Sequence, residues 1–383
     1  MRCLIVHNPR SGFGSDAVFA FERELVAAGD ECVVRVLGEE CNNEEVLADA
    51  EGFDVVVLSG GDGTVSNLLY ALRGRSVDTC VFPSGTANLL FANIGNSAEP
   101  AALARACRWG NVATCDLGEA RWDHDGASVT RGFSIMAGTG FDAELMTAAA
   151  PNKKAMGEAA YFMAALADPK PRSIHYTIEV DGKVHKRDGI ACLVANNAMI
   201  QLDMEIVPDC TMDDGMLDVI VLEASYTAEL LRPLVRGLLD PKGRTKRPTL
   251  ETFRGRSISI TASEPVPMQV DGEVLGIQVT HWDANVFEGA NSLIVDDLSR
   301  YHPSSPPRAA SSRSRTLTRS TLTTSSSTPR CFPRASRGSA PARSTTCSTP
   351  ASSSASCSSP RAPRSPRSRR LPTARVGSVA RSC

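Results

Sequence analysis

The chain has 383 residues, enough for two compact domains, and its formal charge of −2 hides an uneven distribution. Residues 303–383 hold 15 Arg and no Lys, Asp or Glu, whereas the residues before them hold 26 basic and 43 acidic side chains. The sequence contains no apolar run of bilayer length, no secretory leader before the apolar run at 3–6 and no cysteine pair with zinc-ligand spacing, so we expect a cytoplasmic protein with reduced thiols.

Strand and helix patterns alternate through residues 1–120, which we predict to be a nucleotide-binding α/β domain. The predicted strands are apolar throughout, and such strands are typical of a parallel sheet that is covered on both faces. They comprise Arg2–His7, Cys32–Leu37, Asp54–Ser59 and Thr79–Phe82, and the helices between them comprise Ser15–Ala28, Glu44–Ala50 and Val65–Leu72.

Residues 121–298 read as a second, mostly antiparallel β domain. Its predicted strands are separated by turn signals such as Asp181-Gly182, Asp214-Gly215 and Asp271-Gly272. These strands are Thr130–Ala137, Ser173–Val180, Ile190–Ala195, Leu217–Leu222, Ser257–Thr261, Pro267–Val270 and Gln278–Ala284, with helices at Ala143–Ala167 and Ala228–Leu239. Ser292–Val295 is predicted to be a last strand that returns to the first domain.

The tail at 303–383 consists largely of Ser, Thr, Arg, Pro and Ala. It has too few large apolar side chains to offset its chain entropy, so we predict disorder. Arg without Lys or acidic residues is also what out-of-frame translation of GC-rich DNA produces. We favour that interpretation over a tail that binds nucleic acid or anionic lipid.

Three loops follow predicted strands of the first domain. Gly60-Gly61-Asp62-Gly63-Thr64 lies between an apolar strand and a helix, where glycines let backbone N–H groups approach an anion. Asn8-Pro9-Arg10-Ser11-Gly12 follows the first strand, and Pro83-Ser84-Gly85-Thr86-Ala87-Asn88 follows the fourth. Each loop alone is most simply a tight turn. Because ligands bind at the carboxyl ends of parallel strands, the three loops together predict one phosphate-binding cleft.

With these loops the sequence resembles the diacylglycerol kinase catalytic-domain family, in particular its bacterial lipid kinases. The resemblance covers residues 1–298 and continues through Gly138–Ala143, the Lys154…Gly157…Tyr161 pattern, Asp213–Asp218 and Asp271-Gly272-Glu273. It implies an ATP- and Mg²⁺-dependent kinase that visits the membrane and phosphorylates diacylglycerol or a related lipid to phosphatidic acid or a lipid phosphate. It implies no nucleic-acid partner, and the sequence leaves open whether the chain forms a homodimer.

The resemblance also implies a role for individual residues. Those expected to bind ATP are Asn8, Pro9, Arg10, Ser11, Gly12, Gly60, Gly61, Asp62, Gly63, Thr64, Asn67, Gly85, Thr86, Asn88 and Lys154. The catalytic residues would be Glu273, Asp271 and Asp62, with Glu273 preferred over Asp271 as the base that accepts the lipid hydroxyl proton. A structural Mg²⁺ would be held by the Asp214 carboxylate and by the carbonyls of Thr211 and Met216.

Some positions depart from the family pattern. Ser66-Asn67 stand where the family often has Asn-Glu, Phe13 stands where a Lys is common, and no Thr occurs in Val34–Gly38. Arg10 is a candidate replacement for the missing cation. These departures keep open a catalytically silent protein that binds nucleotide or lipid. An NAD kinase or other small-molecule kinase is a second alternative, because a Gly-Gly-Asp-Gly loop occurs in such enzymes as well.

Overall fold

The computed structural model describes residues 1–12, 16–38, 41–141, 143, 172–200, 204–205, 207, 210–223 and 250–301, which fall in one compact unit. Several predictions concern residues outside these ranges. They are the roles of Phe13 and Lys154, nearly all of the helix at 143–167, the helix at 228–239 and the disordered tail. Among the described helices, none has both the length and the apolar character needed to cross a bilayer.

The N-terminal part alternates strands and helices as predicted. Its strands are β1 (Arg2–His7), β2 (Glu31–Val36), β3 (Val55–Gly60) and β4 (Asp78–Pro83). Its helices are α1 (Ala17–Ala27), α2 (Asn43–Val46), α3 (Asp62–Leu72), α4 (Leu89–Ile94) and α5 (Pro100–Trp109), with a 3₁₀ turn at Ala50–Gly52. The four strands pair in parallel in the order β4-β3-β1-β2. All six residues of β3 are buried, as expected for a strand with helices on both faces.

The rest of the described chain is built of strands that pair antiparallel with one another. These are β5 (Asn111–His124), β6 (Ala127–Phe133), β7 (Met136–Gly140), β8 (Ile174–Val180), β9 (Lys183–Gly189), β10 (Ala191–Ala195), β11 (Met199–Ile200), β12 (Met204–Glu205), β13 (Leu217–Leu222), β14 (Leu250–Gly255), β15 (Ser257–Val270) and β16 (Glu273–Val295). The predicted fold class, a parallel α/β part followed by an antiparallel β part, is confirmed.

Strand β16 connects the two parts of the sheet. Its first half pairs with β15, its second half pairs with β5, and Ser292 and Leu293 pair in parallel with Asp78 and Thr79 of β4. The chain therefore returns to the parallel strands at its last described strand. One hydrophobic core lies around β1, β3 and β4, and a second lies among β8, β13, β15 and the middle of β16 around the fully buried Trp282.

Several predicted strand boundaries were wrong. The strand predicted at Thr130–Ala137 is interrupted at residues 134–135, because backbone N–H groups there donate to a side chain instead of to a neighbouring strand. The strands predicted at 257–261 and 267–270 are one strand, β15, which carries a bulge between Thr261 and Val266. Strand β5 was not predicted, and it runs through the expected domain boundary at 120.

Candidate functional site

The loops that follow β1, β3 and β4 contact one another at the carboxyl ends of these strands. The Asn8 side chain donates to Thr64 Oγ1 over 2.8 Å, and the Gly61 N–H donates to Ser11 Oγ over 3.0 Å. Both bonds join the first loop to the glycine-rich loop that begins α3. The third loop joins them, because the Ser84 N–H donates to the Gly60 carbonyl over 3.3 Å, so the expected convergence of three turns is present in the structure.

Glycines allow the close approach of these loops. Gly12 has a φ of +65°, and a Cβ placed on it would lie 2.3 Å from the Ser84 carbonyl oxygen. A Cβ on Gly85 would lie 2.5 Å from the Gly61 Cα. Such distances are far inside van der Waals contact, so a larger residue at either position would push the loops apart.

The third loop is closed by its own side chains and tied to α3. Asn88, in the left-handed region with a φ of 50°, accepts the Gly85 N–H at 2.7 Å and donates to the Gly85 carbonyl. The Asp62 carboxylate accepts the Leu90 N–H at 3.0 Å. Asp62 thus links the start of α3 to the start of α4, whereas the exposed Thr86 lies at the tip of the third loop.

Three buried polar side chains beside these loops are connected by hydrogen bonds. The Ser59 hydroxyl lies 2.9 Å from His7 Nδ1 and 2.7 Å from the Ser84 hydroxyl. Burial lowers the pKa of His7, which favours the neutral imidazole. Because these three residues lie at or within one residue of the ends of β1, β3 and β4, their bonds fix the strand ends from which the loops emerge.

The Asp271-Gly272 turn joins β15 to β16 and places Glu273 at the start of β16. Val270 pairs with Glu273, and both central residues have positive φ, 47° and 78°, which is a type I′ hairpin turn. Two other hairpins, at 125–126 and 181–182, have the same Asp-Gly sequence and a similar geometry. Their aspartates are exposed, whereas Asp271 is buried.

The buried Asp271 carboxylate is held by three consecutive backbone N–H groups. Its Oδ2 accepts the Ser134 N–H, and its Oδ1 accepts those of Ile135 and Met136, all at 2.9 Å. The Ser66 hydroxyl contacts both the Ser134 hydroxyl and this carboxylate. Burial raises the pKa of Asp271, and the hydrogen bonds from Ser66 and the three N–H groups oppose that shift.

We expect Asp271→Asn to lower the free energy of unfolding by about 1–3 kcal/mol, because an amide nitrogen would replace one acceptor oxygen and leave a buried N–H unpaired. Chemical denaturation would measure the change. Asp125→Asn is the matched control, since it makes the same change in the same type of turn at a side chain that is 90% exposed. Its expected effect is within about 0.5 kcal/mol. Equal stability of the two variants would contradict a buried structural role for Asp271.

Glu273 occupies a different environment only two residues away. Its carboxylate forms an ion pair with Arg131 of β6, and its side chain is 60% exposed. A Cβ placed on Gly63 would lie 3.7 Å from Glu273 Oε2, so this carboxylate faces the glycine-rich loop. Glu273 is thus accessible beside the loop, whereas both oxygens of Asp271 are engaged by the protein.

The loop proposed to hold a metal surrounds another buried carboxylate. Asp214 accepts the Met216 N–H at 2.9 Å, and its Oδ2 lies 3.4 Å from an Arg254 nitrogen. Asp116 accepts the N–H groups of Gly215 and Gly289, both at 2.7 Å. Burial raises the pKa of both aspartates. Within the described ranges, no three His, Cys, Asp or Glu side chains group as potential metal ligands.

The structure thus brings most predicted nucleotide-binding residues to one place. Asn67 lies further along α3, and Arg10 donates to the Gly38 carbonyl, two residues after the end of β2. Sequence reasoning missed Arg131 and Ser134, whose partners are distant in the chain. It noticed Ser66 only as a departure from a pattern, and the contact of Ser66 with Asp271 gives that departure a structural role.

Comparisons with known proteins match two family models to successive parts of the chain. Residues 2–120 match the diacylglycerol kinase catalytic domain. Residues 135–288 match the YegS C-terminal NAD kinase beta sandwich-like domain. The two matches together include all the predicted site residues, from the loop after β1 to the hairpin before β16.

Individual relatives are distant. A diacylglycerol kinase from Mycobacterium tuberculosis is 29% identical over 232 residues, which cover 59% of this chain and 74% of the relative. The uncharacterized protein sll0036 of Synechocystis is 28% identical over 236 residues, which cover 60% of this chain but only about half, 52%, of that protein. A crystal structure of a diacylglycerol kinase from Bacillus anthracis matches with a TM-score of 0.61 at 19% identity, covering 77% of this chain and 97% of the other. At that identity the structural match supports the fold alone.

Proposed function

Because the chain belongs to the diacylglycerol kinase catalytic-domain family, we propose that it transfers the γ-phosphoryl group of ATP to the hydroxyl of diacylglycerol or a related lipid. The product would be phosphatidic acid or the corresponding lipid phosphate. One observation carries this proposal. Glu273 lies beside Gly63 of the glycine-rich loop, and this loop and the other two glycine-containing loops contact one another.

The phosphates of ATP would bind to the glycine-rich loop and the first turn of α3. The N–H groups at 62–64 open the helix and have no acceptor within it, and they carry the positive end of the helix dipole. Asn8 and Ser11 hold this loop through Thr64 and Gly61. Phosphoryl transfer depends mainly on positioning and charge neutralisation, and a rigid set of loops supplies the positioning.

Glu273 would act as the general base. As the lipid oxygen bonds to the γ-phosphorus, its proton passes to the Glu273 carboxylate, and the bridging oxygen leaves with ADP. The ion pair with Arg131 would orient the carboxylate. Asp271 would act indirectly, because its bonds to residues 134–136 fix the hairpin that presents Glu273.

We also propose a structural Mg²⁺ at the loop of residues 211–216. The Asp214 carboxylate and the carbonyls of Thr211 and Met216 are hard oxygen ligands of the kind this ion prefers. The nearby buried Asp116 adds negative charge. Asp214 would have to share its carboxylate with Arg254, 3.4 Å away. The ion would lock the loop that leads into β13.

A kinase assay with γ-labelled ATP and Mg²⁺ tests the proposal. The acceptors are diacylglycerol, monoacylglycerol, ceramide and sphingosine in mixed micelles, with NAD as a non-lipid acceptor. We expect label in a lipid phosphate. Transfer to NAD alone would instead support a small-molecule kinase. ATP binding without transfer to any acceptor would support a silent binding protein and refute the proposed activity.

A further inference from the structure

A pocket of about 290 Å³ adjoins the ion pair between Arg131 and Glu273. Its lining includes Trp122 of β5, Val129 and Arg131 of β6, Leu275 and Ile277 of β16, and Asn67 of α3. Arg131 is the ion-pair partner of Glu273, so the polar end of the pocket adjoins the proposed base. Of the other strand residues that line the pocket, Trp122, Val129, Leu275 and Ile277 are apolar or aromatic, and His124 and Thr130 are polar.

A bulge in β16 shapes the apolar wall. Residues 267 and 269 of β15 pair with residues 278 and 274 of β16, so β16 has two extra residues in this interval. Gly276 lies in the bulge with a φ of +69°, a conformation that suits glycine. Leu275 and Ile277 on either side of it are half-buried and line the pocket.

The polar groups of the lining are suited to carbonyl oxygens. Asn67 and Arg131 carry N–H donors, and Arg131 lies at the end near Glu273. Trp122 is 6% exposed, and among the described residues its indole nitrogen has no hydrogen-bond partner. Buried N–H groups without a partner are rare in folded proteins and often mark a ligand or water site. An apolar wall with a few donors is the usual composition of a small-molecule pocket.

The volume limits how much of a lipid can enter. At roughly 30 Å³ for each water-sized group, 290 Å³ accommodates about ten non-hydrogen atoms. That is enough for a glycerol unit, one ester group and the first methylenes, and far too little for whole acyl chains. The remaining chain would leave the pocket and stay in the membrane.

We propose that this pocket binds the ester-linked glycerol end of the lipid acceptor, with its carbonyl towards Asn67 and Arg131 and its first methylenes against Leu275 and Ile277. This inference rests on the proposed lipid kinase function and names the part of the substrate that the protein recognises. The hydroxyl at the glycerol end would then lie between Glu273 and the glycine-rich loop.

Filling the pocket tests its role in catalysis. We expect Ile277→Trp to raise the KM for dihexanoylglycerol about tenfold to hundredfold, the range that one lost apolar contact produces. The KM for ATP should not change. Val184→Trp is the matched control, because it adds a tryptophan to an exposed apolar strand residue that does not line the pocket. An unchanged lipid KM in Ile277→Trp would overturn the proposal.

Tryptophan fluorescence provides a readout that does not depend on activity. A monoglyceride with an α-bromohexanoyl chain, kept below its micelle concentration, should quench the parent protein, because the bromine would lie near Trp122. Trp122→Phe should lose this quenching, and Ile277→Trp should weaken lipid binding. If the parent transfers no phosphate to lipids but shows this quenching, the proposed kinase function is refuted and the proposed lipid binding in the pocket is supported. Quenching that is equal in the parent and Trp122→Phe would overturn the pocket even in an active kinase.

Discussion

Glu273→Gln is expected to lower kcat for lipid phosphorylation by about 10²–10⁴-fold, the usual contribution of a positioned general base. The amide keeps the size of the side chain but cannot accept a proton from the lipid hydroxyl. The glutamate side chain is exposed and bonds only to Arg131 in the described contacts, so the fold should be unaffected. Steady-state kinetics would measure kcat, and a denaturation curve would measure the free energy of unfolding.

The control for this variant is Glu264→Gln, which removes the charge from another glutamate paired with an arginine, at 3.1 Å from Arg172. Glu264 lies on β15, in the bulged segment away from the hairpin turn. Its replacement should leave kcat unchanged. If Glu273→Gln retained parental kcat while Asp271→Asn lost it without loss of stability, the base would have to be reassigned to Asp271.

The two neighbouring carboxylates show what the sequence could and could not predict. Asp-Gly between two strand patterns predicts a hairpin turn. The predicted turn Asp214-Gly215 is not a hairpin, because it leads into β13, which pairs with β10 and β14. The predicted turns at 181 and 271 are hairpins, and Asp125-Gly126 forms a third. Local sequence is the same at all three, yet only Asp271 is buried. Its burial depends on Ser134–Met136, more than 130 residues earlier in the chain, and no local pattern indicates that contact.

The same reasoning explains the interrupted strand at residues 134–135. The local sequence predicts one strand through Thr130–Ala137, because strand propensity depends only on neighbours along the chain. The N–H groups of Ser134, Ile135 and Met136 bind a carboxylate instead, and this competing acceptor breaks the strand into β6 and β7. A functional or structural site can override a local preference where it provides stronger hydrogen bonds.

The three glycine-containing loops were easier to predict, because their glycines are constrained locally and their place follows from strand order. The parallel pairing of β1, β3 and β4 brings their carboxyl ends to the same edge of the sheet, so the loops that follow them are neighbours. What the sequence could not give is how closely the loops meet. The distance of 2.5 Å between a Cβ placed on Gly85 and the Gly61 Cα depends on how the two loops pack in the tertiary structure.

Gly85→Ala is therefore expected to reduce kcat/KM for ATP by about 10²-fold or more. The added methyl group meets backbone, which cannot rotate away as a side chain can, so the third loop and the glycine-rich loop must separate by roughly 1 Å. A displacement of that size costs about 10²-fold in a site that works by positioning. The Gly85 N–H bond to Asn88 would be strained by the same shift, because the Cβ would also lie 2.8 Å from the Asn88 side-chain oxygen.

Gly52→Ala is the control that distinguishes the displacement of the loops in Gly85→Ala from any general effect of replacing a glycine by alanine. It is in the same part of the chain, has no positive φ, and a Cβ there would meet nothing within 4 Å. Its ATP kinetics should match those of the parent protein. Quenching of Trp122 by the brominated monoglyceride should also survive in Gly85→Ala, because the acceptor pocket is lined by β5, β6, β16 and a later turn of α3. Parental ATP kinetics in Gly85→Ala would show that the tight contact between these two loops is not what positions the nucleotide.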